Sequence, residues 1–268
     1  MKDIGIALGV VAAVGLLAGV LLALLSKLFA VPEDEKVKKI RSCLPGANCG
    51  ACGYKGCDDY AVALSGGAAA NLCVPGGKDT ADALGELLGI EVEAPKEVVA
   101  YVHCNGNCSA TGKKTDYDGM QSCRAAAMLY GGPDDCKYGC MGFGDCAAVC
   151  PVQAICLKDG IAHVDSSVCI GCGKCEKACP KHIISLVPKN TSTAVMCNNK
   201  DKGADARKAC KNACIGCKKC ERTCPHGAIT VTDNLARIDY EKCTGCGACA
   251  EACPTGCLHS VILVNTKE

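Results

Sequence analysis

The chain contains no tryptophan, and only two phenylalanines and seven tyrosines among 268 residues. Aromatic platforms for stacked bases are therefore missing. Charge supplies no substitute, because 29 basic residues face 28 acidic ones, a net +1. No nucleic-acid groove is expected. No Gly-x-Gly-x-x-Gly fingerprint, P-loop or nucleophile motif occurs, so nicotinamide, flavin and hydrolytic chemistry are expected on other polypeptides. No Cys-x2-Cys-His occurs either, which argues against attached haem. Scarce aromatics also limit the core that a short module can bury, and such modules usually need a staple.

Cysteine is what the chain has in excess, with 28 residues. Nine of them recur at a register of 74: Cys123, Cys136, Cys140, Cys146, Cys150, Cys169, Cys172, Cys175 and Cys179 reappear as Cys197, Cys210, Cys214, Cys220, Cys224, Cys243, Cys246, Cys249 and Cys253. Ala154-Ile155 aligns with Ala228-Ile229, and Asp165 with Asp239. Such periodicity marks a duplicated unit.

Three segments share one spacing, Cys-x2-Cys-x2-Cys-x3-Cys-Pro: Cys169 to Pro180, Cys214 to Pro225, and Cys243 to Pro254. This is the bacterial ferredoxin run for [4Fe–4S] clusters, in which three thiolates on one loop reach three irons and the fourth ligates the neighbouring cluster. Crossed ligation requires paired runs. Cys224 and Cys243 are 19 residues apart, and so are Cys150 and Cys169, which predicts a fourth run ending at Cys150. It is present in altered form as Cys136-x3-Cys140-x5-Cys146-x3-Cys150-Pro151, with Phe143 where the repeat has Cys217. Cys136 is then expected to supply the missing thiolate. Four sets follow: Cys136/Cys140/Cys146 with Cys179, Cys169/Cys172/Cys175 with Cys150, Cys214/Cys217/Cys220 with Cys253, and Cys243/Cys246/Cys249 with Cys224. Disulfide scaffolds of secreted proteins are short and do not repeat this spacing. Zinc sites pair Cys-x2-Cys with a distant second pair and predict neither the third close cysteine nor the proline.

Near the N-terminus, Ile4 to Leu25 is 22 residues without a charge, 13 of them Leu, Ile or Val. A helix of that length runs about 33 Å against a hydrocarbon core of about 30 Å. A retained transmembrane anchor over residues 1–26 is therefore expected, rather than a cleaved signal peptide with its shorter apolar region. Gly5-x3-Gly9 and Gly15-x3-Gly19 suit close packing of another helix. Lys27, Lys36, Lys38, Lys39 and Arg41 follow the span and only Lys2 precedes it, which places the bulk of the chain in the cytoplasm. Free thiolates need a reducing compartment and point the same way.

Residues 27–42 read as a linker leading, past Pro32, Glu33, Asp34 and Glu35, into a helix start. The glycine-rich stretch that follows carries Cys49, Cys52 and Cys57, with Cys73 beyond a short helix expected over Asp58 to Asn71. By spacing alone this four-thiolate site could hold zinc or an iron–sulfur cluster. The stretch resembles the single-cluster domain in the B subunit of Rnf-type ion-translocating oxidoreductases. The whole order of one span, this domain and then ferredoxin modules resembles that subunit too. The resemblance implies that Cys49, Cys52, Cys57 and Cys73 hold a [4Fe–4S] cluster. Compact versions of the subunit have one ferredoxin pair, whereas this chain has two and resembles the longer form.

Eight cysteines remain: Cys43, Cys104, Cys108, Cys123, Cys156, Cys197, Cys210 and Cys257. Cys156 and Cys257 suit small buried apolar positions. Cys104, Cys108 and Cys123, with Cys197 or Cys210, are candidates for a sixth cluster, and ordinary buried thiols are the alternative. About 20 irons per chain would correspond to five clusters and about 24 to six.

The expected fold is α+β: a transmembrane helix, a small helical Fe–S domain over residues 43–95, a cysteine-containing connector over 96–130, and two ferredoxin-like modules over 131–190 and 205–268. Strands are expected at Ile161 to Asp165 and Ala236 to Tyr240, after turns at Asp159-Gly160 and Asp233-Asn234. Metal binding in such modules is folding free energy, so apo-protein is not expected to hold the fold. The resemblance implies an electron-relay protein that connects soluble ferredoxin with flavin- and NAD-handling membrane subunits, coupled to Na+ or H+ movement. A polyferredoxin component of another membrane oxidoreductase is the runner-up, and a metal-storage protein a third reading. Lys208, Lys211, Lys218, Lys219 and Arg222 form either a solvated face or a dock for an acidic ferredoxin.

Overall fold

The computed structural model describes residues 2–28 and 34–260. A helix, α1 (Lys2–Leu28), occupies the N-terminal apolar segment. Among the described residues no helix is long and apolar enough to cross a membrane. The expected transmembrane helix is therefore not supported, and the orientation argued from it falls with it. Among the described residues nothing lies within 4 Å of a would-be Cβ on Gly9, Gly15 or Gly19.

The first folded unit is helical. Asp34 caps α2 (Glu35–Cys43), its carboxylate accepting from Lys36 N at 2.9 Å, which satisfies one of the helix's orphan donors. Pro32 and Glu33 lie outside the described residues. The helix expected after Cys57 is α3 (Cys57–Ser65), shorter than the sequence implied because Gly66 and Gly67 end it. A third helix, α4 (Gly77–Leu88), ends on Gly89 in the left-handed conformation, the usual C-terminal cap. Ile40, Tyr60, Leu64 and Leu84 from the three helices form the core with Cys57 and Cys73. Each aliphatic member contributes roughly 1.5–3 kcal/mol by burial.

Two α+β modules follow, each made of two antiparallel strand pairs. In the first, β1 (Val98–Val102), α5 (Cys123–Ala127), α6 (Asp145–Ala148), β2 (Ile155–Lys158), β3 (Ile161–Val164), α7 (Lys174–Ala178) and β4 (Ile184–Pro188) run in order. Strand β1 pairs with β4, Val98 opposite Pro188 and Val102 opposite Ile184, and β2 pairs with β3. In the second, β5 (Thr193–Val195), α8 (Gly203–Ala209), α9 (Lys219–Thr223), β6 (Ile229–Thr232), β7 (Leu235–Ile238), α10 (Ala248–Glu251) and β8 (Leu258–Ser260) repeat the plan. Here β5 pairs with β8 and β6 with β7. The segment read as a connector thus supplies β1, the strand that corresponds to β5.

The predicted turns close both hairpins. Asp159 and Gly160 stand at φ 52° and 81°, and Asp233 and Asn234 at 50° and 61°, the pair of positive φ values that a two-residue hairpin requires. These turns press on the cysteine loops. A Cβ on Gly142 (φ +72°) would lie 2.5 Å from Gly160 O, and one on Gly216 (φ +63°) would lie 3.0 Å from Asn234 Cα. Glycine between the cysteines lets each loop sit against its hairpin.

The modules join along β1, β4 and β5, where Val99, Tyr101, Val187 and Ala194 are buried together. His103 Nδ1 donates to Val195 O at 2.7 Å, and its Nε2 accepts from the Ser185 hydroxyl at 2.6 Å. Burial holds its pKa below the usual histidine range. His103 is a structural link between modules.

Candidate functional site

Each cysteine run folds as a loop followed by one turn of helix. The loop before α7 carries Cys169 and Cys172, and the turn carries Cys175. Such loops present three sulfurs to one side, and the structure adds a fourth from the partner run. Cys214, Cys217, Cys220 and Cys253 line one cavity, closed by Val231 and Pro254. Burial pushes the Cys220 thiol up to about 11, with Cys214, Cys217 and Cys253 adding to the shift. Around Cys249, burial acts first, followed by Cys243 and, among others, Cys224 of the partner run. Around Cys172, burial is joined by Cys150 and Cys169, and the Cys175 thiol is pushed to about 11 beside Cys169 and Cys172.

The altered run differs from its expected grouping. Cys140, Cys146 and Cys179 line one cavity, but Cys123 completes it and Cys136 does not. The Cys146 thiol is raised to about 12 by burial, then by Cys140, Cys123 and Cys179. Cys123 is held there by Asp145, whose carboxylate accepts from Cys123 N (3.0 Å), Arg124 N (2.9 Å) and Ser122 Oγ (2.9 Å). Burial opposes ionisation of Asp145, but these donors win and its pKa is lowered. Cys136 instead lines a separate cavity with Cys104, Cys197 and Cys210. Cys108 is exposed and lines neither cavity. The signal that could have found Cys123 is its place in a long insertion between Cys104 and Cys136.

In the helical unit, Cys73 is raised by burial and then by Cys57, Cys49 and Cys52, so the four sulfurs interact. Asn48 Oδ1 accepts from Cys57 N at 2.8 Å and pins the loop to the start of α3. Cys49 also contributes to the shift of Cys172, which sets this unit beside the first ferredoxin module.

The sulfurs have the surroundings of thiolate ligands. Backbone donors reach Cys150 Sγ from Ala154 N and Cys224 Sγ from Ala228 N, both at 3.3 Å, and Cys169 Sγ from Ala100 N at 3.4 Å. Hydrogen bonds to sulfur stabilise its charged form, and iron supplies the counter-charge that buried thiolates otherwise lack. Four sulfurs drawn from two segments, with backbone N–H groups aimed at several of them, suit a soft-metal site. The donor set fits [4Fe–4S].

Known families match the same stretches. Residues 44–75 match a family described as a putative Fe–S cluster domain, residues 162–185 a 4Fe-4S binding domain, and residues 213–257 a 4Fe-4S dicluster domain. Over 244 residues the chain is 44% identical to the B subunit of the Na+-translocating ferredoxin:NAD+ oxidoreductase complex of Acetobacterium woodii, covering 90% of this chain and 73% of the relative. The chain belongs to the B-subunit family of ion-translocating oxidoreductase complexes. The B subunit of the proton-translocating ferredoxin:NAD+ oxidoreductase complex of Clostridium ljungdahlii is 43% identical, with 89% and 85% covered. The B subunit of the ion-translocating oxidoreductase complex of Methanosarcina acetivorans is 40% identical, with 88% and 90% covered. Family members named for sodium and for protons stand at nearly equal identity, so overall similarity does not choose an ion. The chain is an iron–sulfur electron-transfer subunit with several [4Fe–4S] clusters.

Proposed function

We propose that this chain accepts electrons from a reduced soluble ferredoxin and passes them toward NAD-handling membrane subunits of its complex, whose turnover moves Na+ or H+. The observation that carries the reading is the row of four-cysteine groups running from the helical unit through both modules. A bound [4Fe–4S] cluster supplies a one-electron store whose potential depends on charge, solvent and hydrogen bonds to sulfur. The protein's part is positional. Three-cysteine loops and crossed fourth cysteines hold neighbouring sites close, the buried residues of each hairpin, such as Ile161 and Leu235, keep water off one side, and backbone N–H groups tune the sulfurs. The proposed ligands are Cys49/Cys52/Cys57/Cys73, Cys150/Cys169/Cys172/Cys175, Cys123/Cys140/Cys146/Cys179, Cys214/Cys217/Cys220/Cys253 and Cys224/Cys243/Cys246/Cys249.

Membrane association comes through the complex, and a chain this rich in unpaired cysteine favours a reducing, cytoplasmic location for the clusters. Exposed Cys217 and Cys246 mark the second module as the entry point for electrons from ferredoxin. The test is anaerobic isolation of the complex, with reduced ferredoxin as donor and NAD+ as acceptor. Bleaching of the iron–sulfur absorbance by ferredoxin, with NADH formed only when the membrane subunits are present, is the expected result. Iron-free or zinc-loaded protein that ferredoxin does not reduce would overturn the reading.

A further inference from the structure

Four cysteines gather where the two ferredoxin modules meet, at positions outside every matched family segment. Cys104 and Cys136 come from the first module and Cys197 and Cys210 from the second, and all four are buried. Cys104 follows β1 and Cys197 follows β5 by the same two residues. Each sits in the same local turn. Gly106 N donates to Cys104 Sγ and Asn199 N to Cys197 Sγ, both at 3.4 Å. A Cβ on Gly106 would lie 3.4 Å from Cys104 Sγ and 3.5 Å from Cys210 Sγ, so these two sulfurs face one another's space. Asn199, itself 1% exposed, joins the other two by donating from its side chain to Cys136 Sγ at 3.6 Å.

Each flank is tied to a neighbouring cavity. Cys140 N donates to Cys104 Sγ at 3.3 Å, and Cys214 N donates to Cys197 Sγ at 3.3 Å. A ligand of the preceding site and a ligand of the following one therefore each donate to a sulfur of this group. Bonds across the module boundary surround it: Asn105 N to Met196 O (3.1 Å), Lys211 N to Ala110 O (2.8 Å) and Thr111 Oγ1 to Ala209 O (2.8 Å). Four buried thiols without a disulfide, supplied with five N–H donors, are a costly arrangement for a plain core.

We propose that Cys104, Cys136, Cys197 and Cys210 bind a sixth [4Fe–4S] cluster at the interface of the two modules. It rests on the reading that cysteine-lined cavities here hold such clusters. Two ligands from each module make the cluster both the staple of the interface and the link between the two cluster pairs.

The test uses full-length chain, isolated anaerobically, with iron and acid-labile sulfide counted and Mössbauer spectra recorded after 57Fe enrichment. Wild-type protein should carry about 24 irons, and the double variant Cys136→Ala/Cys210→Ala about 20. Cys108→Ala should lose none. If the wild type carries about 20 and the double variant matches it, the proposal fails while the five-cluster reading stands. Protein without iron sinks both. Should the double variant not fold, the wild-type count decides alone, about 24 in favour and about 20 against.

Discussion

The two ferredoxin modules are copies that solved one problem differently. In the second, Cys217 completes a regular three-cysteine loop. In the first, Phe143 occupies that position, and Cys123 lines the cavity from another segment. The interval from Cys104 to Cys136 is 32 residues, against 13 from Cys197 to Cys210. The insertion carries α5 with Cys123 at its first position, and Tyr117 from the same insertion packs edge-on against Phe143 with ring centroids 5.4 Å apart. A loop cysteine gives way to one delivered to the cavity by an inserted helix and pinned by Asp145. A ferredoxin-like cavity is thus defined by where four sulfurs converge, and the loop that brings each one can change.

That difference can be broken most directly by moving the ligand back. Cys123→Ala should remove about four irons from the first module, and Cys217→Ala the same number from the second. Adding Phe143→Cys to Cys123→Ala should restore the lost iron, because the new thiol stands where Cys217 stands in the copy. Iron counts and Mössbauer areas read all three proteins. Full iron in Cys123→Ala would return the missing ligand to Cys136 and undo the grouping.

A second difference lies behind the cysteine-proline turns. The repeat sets Cys257 opposite Ile183. Ile183 is plain core, 2% exposed. Cys257 is equally buried, and its sulfur is 3.6 Å from Cys253 Sγ. Hydrogen bonding with Cys214 and Cys253 lifts the Cys257 pKa far above the thiol range and lowers Cys253 to about 4 and Cys214 to about 6. Cys257 therefore keeps its single S–H, which is donated to Cys253 Sγ, one of the proposed ligand sulfurs. Such a donor favours the reduced, more negative cluster. Cys257→Ala should lower the potential of the Cys214 site by about 20–40 mV, the equivalent of a weak hydrogen bond of about 0.5–1 kcal/mol. EPR-monitored titration measures it. A loss of about four irons instead would make Cys257 a ligand.

Much of this was legible because it is local. Cys-x2-Cys-x2-Cys-x3-Cys-Pro is a property of a dozen residues, and the hairpin turns at Asp159-Gly160 and Asp233-Asn234 needed only their own sequence. The crossed set of Cys214, Cys217, Cys220 and Cys253 lines one cavity as the spacing predicts. Cys136 and Cys123 line cavities other than those the spacing suggests, for a nonlocal reason. A gapless register of 74 makes Cys123 the counterpart of Cys197, whereas the strands make Cys104 its counterpart, since β1 and β5 both end two residues before their cysteine. Insertions preserve cysteine identity and shift equivalence, and only strand pairing reveals the shift. The α1 segment shows the opposite limit. Hydropathy suggested a span, whereas among the described residues no helix is long and apolar enough to cross a membrane.

The smallest effect separates two positions that the repeat makes equivalent, Asp165 and Asp239. Both accept backbone and side-chain contacts ahead of a cysteine loop, and both receive the loop's first cysteine amide on their own carbonyl, Cys169 N at 3.0 Å and Cys243 N at 3.0 Å. Their partners differ. Asp165 Oδ1 accepts from Ser167 Oγ at 2.6 Å and Ser167 N at 2.9 Å, whereas Asp239 accepts from Glu241 N at 3.0 Å and pairs with Lys242 at 3.2 Å. The pKa of each is lowered, by the Ser167 hydroxyl for Asp165 and by Glu241 N then Lys242 for Asp239. A depressed carboxylate stabilises the fold above its unfolded value of about 3.9, and that contribution is lost as pH falls through the folded value. The gap in thermal midpoint between wild type and either Asp→Asn variant should therefore hold steady from about pH 5 upward and close below about pH 4. Salt then distinguishes the copies. The Asp239 gap should shrink in 1 M salt, where the Debye length is about 3 Å, while the neutral donors of Asp165 leave its gap in place. Equal salt sensitivity at both positions would mean that Lys242 contributes nothing to the turn.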